Sequence, residues 1–381
     1  MVTAPPTRPA GRPTGGPTIR SDFAQAPFLV IWEITRACGL ACKHCRAEAQ
    51  TSADANQLTT AEGIALLQRL RAGFGPLLVV LTGGDPLARA DLTQLIATGS
   101  KLGLRMALTP SATELLTREA LAELHQAGLS RVALSLDGST AAAHDAFRGV
   151  PNTFARTMQA LDWARELGLS RQINSSIHRG NMHEIAALAQ VAGWADVDLW
   201  SVFFLVPTGR ATADHLLSPA EHEQAYRTLA NIALNPATTF ALKTTAGQPY
   251  YRVLAQERQR RGLAPEERVG LRAPGGVNDG KGFLFVSHTG EVCPSGFLPL
   301  VCGNVRTVDP VETYRHHPVF RDLRAPEKLG GKCGLCEYNT VCGGSRSRAY
   351  GLTGDPLAAD PTCIYIPKKR RSGPSAALPE A

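Results

Sequence analysis

Three cysteines stand close together near the start of this 381-residue chain, within TRACGLACKHCRAEA at residues 35–49. Cys38, Cys42 and Cys45 have the spacing C-x3-C-x2-C. Thiolates at such spacings bind zinc or iron–sulfur clusters, and these metal centres usually have four ligands. A [4Fe–4S] cluster accepts a non-protein ligand at one corner, so three thiolates would leave one iron open to a chelating molecule such as an amino acid.

A second group of cysteines lies near the end of the chain. Cys333, Cys336 and Cys342 have the spacing C-x2-C-x5-C and are followed by Cys363, while the remaining two of the nine cysteines, Cys293 and Cys302, lie upstream. Such bunching in an intracellular chain indicates metal or iron–sulfur sites rather than disulfides. Four thiolates suit zinc as well as a cluster, so the residues alone leave both metals open.

Composition narrows the class of protein. The chain is 44% hydrophobic, which suffices for a full core. It has no run of about 18 apolar residues and no signal-peptide pattern, so we expect a globular cytoplasmic protein without a membrane segment. Five of the seven net positive charges lie in residues 1–22 and 367–381. The body of the chain is therefore close to neutral, and we expect no nucleic-acid partner.

Six short apolar runs rich in β-branched residues alternate with helical patterns. The runs predict strands at 28–35, 77–84, 105–112, 131–138, 171–178 and 199–207, and helices are predicted at 59–73, 91–103 and 117–128. Such alternation favours a parallel sheet, either doubly wound or a barrel, whose functional residues lie beyond the carboxyl ends of the strands.

Polar and glycine-rich sequences follow these strand ends with regularity. The three-cysteine loop follows the first strand and TGGDP follows the second. Together they predict a pocket for a charged, nucleoside-like ligand, formed by the cysteines and by Gly83, Gly84, Asp85, Ser135, Asp137, Asn174, Ser176 and Arg210.

The cysteine loop, the GGDP sequence and the six strands resemble the radical S-adenosylmethionine (SAM) enzymes over residues 25–215. The resemblance implies a partial (β/α)6 TIM-like barrel of class α/β and a [4Fe–4S] cluster whose open iron binds the SAM amino and carboxylate groups. Reduction of the cluster then cleaves SAM to methionine and a 5′-deoxyadenosyl radical, which abstracts a substrate hydrogen atom. His44 occupies a position that is usually aromatic in the family, and is expected to lie against the adenine.

The same resemblance assigns roles to the strand-end residues. Gly83 and Gly84 allow close backbone approach, and Asp85, where the family more often has Glu, is expected to receive the SAM ammonium with a backbone carbonyl. Arg210 is expected to clamp a carboxylate. Ser135 and Asp137 are expected to bind the ribose hydroxyls. Asn174 and Ser176 are expected to bind the ribose or the SAM carboxylate.

The second cysteine group resembles the SPASM or Twitch extension of radical SAM enzymes, in which these spacings hold an auxiliary [4Fe–4S] cluster. The full pattern has a further cysteine where this chain has Arg346. We therefore predict two clusters in all, the second on Cys333, Cys336, Cys342 and Cys363. Cys293 and Cys302 are predicted to be free thiols or remnants of another site.

The C-terminal third resembles radical SAM/SPASM enzymes that modify haem side chains, d1-type haem precursors or ribosomal peptides. This implies an oxidoreductase or maturase with a peptide or tetrapyrrole substrate and a flavodoxin- or ferredoxin-type electron donor. A non-catalytic zinc- or cluster-bearing SAM-binding protein is the alternative. Residues 242–253 are either a connecting segment or a cover over the barrel mouth, with Lys243, Tyr250 and Tyr251 as candidate substrate contacts.

Five regions are expected along the chain. Disordered tails are predicted at 1–24 and at 367–381, the latter basic. Between them we expect the radical SAM partial barrel at 25–215, a helical linker and connecting segment at 216–280, and a small cysteine-rich, SPASM/Twitch-like domain at 281–366.

Overall fold

The computed structural model of the chain describes residues 22–263 and 276–368. Nearly all of the two predicted disordered tails lies outside the described residues. Within the described part of the chain, no helix is both long enough and apolar enough to span a bilayer.

A single sheet organises the molecule. Its strand order is β7-β6-β5-β4-β3-β2-β1-β8-β9, in which every neighbouring pair is parallel except the antiparallel pair β8 and β9. The strands are β1 Leu29–Thr35, β2 Leu78–Gly83, β3 Arg105–Leu108, β4 Leu129–Ser135, β5 Ser170–Ile177, β6 Leu199–Phe204, β7 Ala241–Thr245, β8 Phe283–Val286 and β9 Val292–Cys293.

Helices connect the parallel strands and continue into the C-terminal region. They are α1 Thr60–Phe74, α2 Leu92–Lys101, α3 Arg118–Gln126, α4 Ala141–Arg148, α5 Thr153–Glu166, α6 Ile185–Trp194, α7 Pro219–Ala233, α8 Pro249–Arg260, α9 Pro310–His316, α10 Pro318–Arg324, α11 Gly331–Leu335 and α12 Arg346–Thr353. Helix α1 shows how the sequence specifies them: Thr59 and Glu62 form a capping box at its start, and Leu66, Leu67 and Leu70 bury its apolar face.

The sequential order of β1 to β7 decides between the two parallel-sheet architectures. A doubly wound sheet reverses its strand order at a switch point, whereas these strands follow one another without reversal, as in a barrel. The sheet has two edges, so the barrel is partial. The predicted α/β class and all six predicted strands are confirmed.

The sheet extends beyond the six predicted strands. Strand β7 pairs with β6, and β8 joins the opposite edge by pairing with β1. The interpretation of residues 242–253 as a connecting segment or a cover over the barrel mouth is wrong, because they form β7 and the start of α8. Tyr250 is 1% exposed within the hydrophobic core, so it does not line the mouth.

Candidate active site

The three-cysteine loop follows β1 and is closed at its base by backbone hydrogen bonds. The amide of Cys38 donates to the carbonyl of Gln50, and the amide of Gln50 donates to the carbonyl of Arg36, both at 2.8 Å. A further bond joins the amide of Cys45 to the carbonyl of Cys42 at 3.3 Å. All three thiols are therefore carried by one loop with fixed ends.

Each sulfur of this loop accepts a hydrogen bond from nitrogen. The amide of Leu40 donates to Cys38 Sγ at 3.3 Å, and the amide of Ala49 donates to Cys45 Sγ at 3.4 Å. Arg148 Nη1 lies 3.7 Å from Cys42 Sγ. Such donors stabilise thiolates and tune cluster potentials, so this set of donors fits a [4Fe–4S] cluster.

Two glycines bring the end of β2 against the cysteine loop. The amide of Gly84 donates to the carbonyl of Thr35 at 2.8 Å, and the amide of Asp85 donates to the carbonyl of Ala37 at 2.6 Å. A Cβ on Gly83 would collide with the Thr35 carbonyl oxygen, and one on Gly84 with the carbonyl oxygen of Ala37. The close backbone approach predicted for these glycines therefore also occurs between the end of β2 and the cysteine loop.

The Asp85 carboxylate is already engaged by the protein. It is 1% exposed, and it accepts hydrogen bonds from the Leu87 amide at 3.2 Å, the Ser111 amide at 3.3 Å and Thr113 Oγ1 at 2.5 Å. Burial raises the pKa of Asp85, and these donors oppose the rise. The side chain thus joins the ends of β2 and β3, a role that the sequence did not indicate.

Asp137 is likewise buried and engaged. Its Oδ1 accepts from the Ser176 amide at 2.7 Å, and its Oδ2 lies 2.5 Å from Arg148 Nη2. Burial raises its pKa, but the charge of Arg148 and the neighbouring His44 and His144 lower it by more, so the net shift is downward. Arg148, at the end of α4, therefore links Asp137 to Cys42, and no motif in the sequence marks it.

His44 lies in a stack of three flat rings. Its ring centroid is 4.2 Å from that of Phe147, which lies 4.2 Å from that of His178, with interplanar angles of 10° and 11°. Burial lowers the pKa of His44 to about 3, so the ring is neutral at pH 7, and its Nδ1 has no hydrogen-bond partner among the described residues. Phe147 and His178 were not predicted.

Arg210 approaches the cysteine loop from the segment after β6. Its amide donates to the Cys45 carbonyl at 3.0 Å, and Gly209 packs against the carbonyl oxygens of Cys45 and Arg46. The Nε and Nη2 atoms of Arg210 are buried without a hydrogen-bond partner in the described part of the chain. Leaving these two buried N–H groups unpaired is costly, so the side chain suits an anionic ligand.

The three other predicted strand-end residues lie near one another. Ser135 on β4 is paired in register with Asn174 on β5, and Ser176 lies two residues further along β5. All three are half-buried, and Asn174 Oδ1 accepts a hydrogen bond from Gln172 Nε2 at 2.7 Å. The structure thus brings these residues together at the carboxyl ends of β4 and β5.

A buried charge network lies beside the cysteine loop and was also not predicted. Glu33 on β1 is 2.6 Å from Arg46 Nη2 and 2.9 Å from His288 Nδ1, while His288 Nε2 is 3.3 Å from Asp54. Burial raises the pKa of Glu33, but Arg46 and His288 lower it more, to about 2. Glu33 therefore connects the loop to the turn between β8 and β9.

The second cysteine group surrounds one cavity. Four cysteines line one pocket that is partly open to solvent, and they are Cys333, Cys336, Cys342 and Cys363. Amides donate to two of the sulfurs, from Gly344 to Cys342 at 3.3 Å and from Asp360 to Cys333 at 3.4 Å. Four thiols with such donors fit a closed [4Fe–4S] cluster. Among the described residues, no three His, Cys, Asp or Glu side chains converge on a point for a single metal ion.

Arg346 stands where the full SPASM pattern has a cysteine. It is 1% exposed, and its Nη1 donates to the carbonyls of Pro356 at 3.0 Å and Ala358 at 2.6 Å. Its Nη2 lies 3.8 Å from Cys333 Sγ. A cation therefore supports the cavity wall at this position and contacts one of the sulfurs.

Cys293 and Cys302 are both buried on the C-terminal edge of the sheet. Burial raises the pKa of each thiol to about 12, so both stay protonated at neutral pH, and neither forms a disulfide. Cys302 Sγ donates to the carbonyl of Leu300 at 3.4 Å. They do not line the cavity of the other four cysteines.

Known proteins resemble this chain in sequence and in fold. The family model of the radical SAM superfamily matches residues 32–192. An AdoMet-dependent heme synthase of Nitratidesulfovibrio vulgaris is 39% identical to this chain, and the match covers 93% of this chain and 96% of that protein. A PqqA peptide cyclase of Bradyrhizobium diazoefficiens is 29% identical, and the match covers 90% of this chain and 87% of that protein. The structure of Streptococcus suis SuiB bound to S-adenosylmethionine superposes with a TM-score of 0.69 at 16% identity, covering 90% of this chain and 78% of SuiB.

A relative at 39% identity that spans nearly the whole chain establishes the family, and the matched model begins within β1 and includes the three-cysteine loop. The relatives are named as synthases and cyclases, so the non-catalytic alternative is set aside. The family implies a [4Fe–4S] cluster and SAM, which agrees with the set of donors around Cys38, Cys42 and Cys45. This chain belongs to the radical SAM superfamily and is an enzyme of that superfamily.

Proposed function

We propose that this enzyme oxidises a tetrapyrrole to form a haem-type product. The observation that carries the proposal is the 39% identity to an AdoMet-dependent heme synthase over 93% of this chain and 96% of that protein. A peptide substrate is the second candidate, favoured by the relative named PqqA peptide cyclase at 29% identity. The higher identity supports the tetrapyrrole.

The residues of the first site have defined roles in this proposal. Cys38, Cys42 and Cys45 hold the [4Fe–4S] cluster, and the unpaired guanidinium of Arg210 takes the SAM carboxylate. The stacked ring of His44 offers a flat, neutral surface to the adenine. A reduced cluster and SAM bound by these residues would supply a 5′-deoxyadenosyl radical, the group that abstracts a hydrogen atom from the substrate.

The remaining predicted contacts differ in how they would act. Ser135, Asn174 and Ser176 are half-buried at the strand ends and would bind the ribose or the SAM carboxylate. Gly83 and Gly84 would present a backbone carbonyl to the SAM ammonium. Asp85 and Asp137 are engaged by the protein and act by fixing the loops that carry the site; their partners are given above.

The C-terminal region is proposed to hold an auxiliary [4Fe–4S] cluster. Four thiols around one cavity and the N–H donors to Cys333 and Cys342 support this assignment. A cluster here would accept the electron released when a substrate radical is oxidised to product. A flavodoxin- or ferredoxin-type protein of the cytoplasm is proposed to reduce the first cluster.

The reaction can be tested with a tetrapyrrole that carries propionate side chains. Anaerobically reconstituted enzyme is reduced and given SAM with iron-coproporphyrin III, and the products are separated by mass spectrometry. We expect 5′-deoxyadenosine together with a tetrapyrrole that has lost the mass of formic acid from a side chain, which is the change from propionate to vinyl. The variant Cys42→Ala, which lacks one cluster ligand, is the control and should give neither product.

An unchanged tetrapyrrole in a reaction that still forms 5′-deoxyadenosine would reject the proposed substrate. A peptide with a mass loss under the same conditions would then favour the second candidate.

A further inference from the structure

A row of polar side chains crosses the inner face of the partial barrel. The parallel register aligns Ser135, Asn174, Ser201 and Lys243 on the adjacent strands β4, β5, β6 and β7. Successive side chains of a strand point to opposite faces. The residue that precedes each of these four belongs to the hydrophobic core; the preceding residues are Leu134, Ile173, Trp200 and Leu242. The polar row therefore lies on the opposite face of the sheet, toward the barrel interior.

Lys243 carries a positive charge in this row without a counter-charge. It is half-buried, and it has no hydrogen bond or ion pair within residues 22–263 and 276–368. Burial, together with the charge of Arg131 on β4, lowers its pKa to about 8. Glu33 also lies on the inner face, but Arg46 and His288 occupy its carboxylate.

Ser201 is the neighbour of Lys243 on β6 and is also unsatisfied. Its side chain is fully buried, and its Oγ has no hydrogen-bond partner among the described residues. Leaving a buried hydroxyl unpaired costs about 1–3 kcal/mol. A ligand carboxylate that displaces the side chains covering this hydroxyl could accept a hydrogen bond from it and another from the Lys243 ammonium, which would satisfy both groups.

The row leads directly to the proposed SAM site. Adjacent parallel strands lie about 4.8 Å apart, so Lys243 on β7 is separated from Asn174 on β5 by about 10 Å at the backbone. A ligand carboxylate held by Lys243 would therefore place the rest of the ligand beside SAM.

We propose that Lys243 and Ser201 form a subsite inside the barrel that binds a carboxylate of the substrate and so positions the substrate for hydrogen abstraction. For a tetrapyrrole the carboxylate is a propionate, and this identity rests on the proposed function. The two residues are positioning residues, because neither needs to exchange a proton with the reacting carbon.

The test compares binding of iron-coproporphyrin III with binding of the same molecule whose propionates are converted to amides. Both are titrated anaerobically into the holoenzyme and followed by absorbance. Lys243→Gln is expected to weaken binding of the acid by roughly tenfold or more, since it removes one member of a partly buried charge pair. Lys243→Arg keeps the charge and should restore most of the affinity, whereas Lys101→Gln, an exposed control at the end of α2, should bind as the wild type does.

The amide analogue separates a charge contact from a general structural effect. The wild type should bind the amide less tightly than the acid, and Lys243→Gln should bind acid and amide alike. Ser201→Ala should weaken binding of the acid by a few fold. Iron content and thermal melting show that each variant is folded.

Two results would overturn the inference in different ways. Equal affinity of the wild type and Lys243→Gln for the acid would overturn the subsite and leave the proposed function in place. Failure of the wild type to bind the acid would reject the proposed tetrapyrrole, and this inference with it.

Discussion

Arg148 Nη2 lies 2.5 Å from Asp137 Oδ2 in the buried wall of the candidate site. The same guanidinium reaches Cys42 Sγ at 3.7 Å through Nη1, so the carboxylate fixes the cation that contacts the thiol. Asp137 was expected to bind ribose hydroxyls directly. The structure supports a different contribution, in which Asp137 orients Arg148 beside the cysteine loop.

Replacing Asp137 with Asn should destabilise the protein, because the Arg148 charge would remain buried without its partner. Breaking a buried pair in this way costs about 3–5 kcal/mol, to be measured as the free energy of unfolding in anaerobic urea denaturation. The control is Glu166→Gln, which breaks the exposed Arg118–Glu166 pair, whose side chains are 49% and 52% exposed. That change should cost less than about 1 kcal/mol. Equal stability of the two variants would contradict the proposed role of Asp137.

Gly84→Ala should displace the three-cysteine loop. The added Cβ would collide with the Ala37 carbonyl and lie 2.5 Å from the Arg36 carbonyl oxygen, and these backbone atoms cannot move without moving the loop. We expect the variant to lose the iron of the first cluster, which is about half of the total if each site holds a cube. Gly193→Ala in α6, where the nearest atom is 4.0 Å from the new Cβ, is the matched control and should retain all its iron.

Arg210→Gln should weaken SAM binding by roughly tenfold or more, since a charged hydrogen bond to the SAM carboxylate would be lost. The SAM affinity of Arg210→Lys should lie between that of the wild type and that of Arg210→Gln, because an ammonium keeps the charge but lacks the planar fork. Equilibrium dialysis with the reconstituted protein measures the affinity. Arg165→Gln, at a side chain that is 52% exposed, is the control. Unchanged SAM affinity in Arg210→Gln would remove this residue from the site.

Glu33 should contribute stability that depends on pH. Its pKa in the folded protein is about 2 against an ordinary value of 4.5, so the ionised form is favoured by folding. The contribution is fully present above pH 4.5 and is lost as the pH falls from 4.5 through about 2. The stability difference between the wild type and Glu33→Gln should therefore be constant, at roughly 2 kcal/mol, between pH 5 and pH 8, and shrink below that range. If the stability difference between the wild type and Glu33→Gln grew on acidification, the pKa of Glu33 would not be lowered by folding, contrary to this prediction.

The parts of the fold that local pattern determines were predictable. Strands β1 to β6 are apolar and β-branched, and each ends in a recognisable turn. Strand β7 was missed because its sequence ALKTT is mostly polar, one face of it being turned to the barrel interior. Strand β8 is a short apolar run, FLFV, but its pairing with β1 joins residues some 250 positions apart, a separation that no local pattern reveals.

The candidate site likewise contains residues that local sequence could predict and residues that it could not. Short spacing singled out six of the seven predicted cluster cysteines, Cys38, Cys42, Cys45, Cys333, Cys336 and Cys342, because neighbouring cluster ligands recur at short intervals along a loop. Cys363, 21 residues after Cys342, was assigned through the family resemblance. The partners of the site follow no spacing rule. Arg148, Phe147 and His178 reach the cysteine loop only through the folded chain, and the pairing of Glu33 with His288 joins opposite ends of the sequence.

The most direct test of the account is the metal content of a variant in which Cys38, Cys42 and Cys45 are all changed to Ala. The wild type should contain roughly eight irons after anaerobic reconstitution, and the variant roughly four, because the second cavity has its own four thiols. The variant should also lose every SAM-dependent spectral change, since a fully thiolate-ligated cluster has no open iron. A variant that contains zinc and no iron, or that still cleaves SAM, would contradict the account.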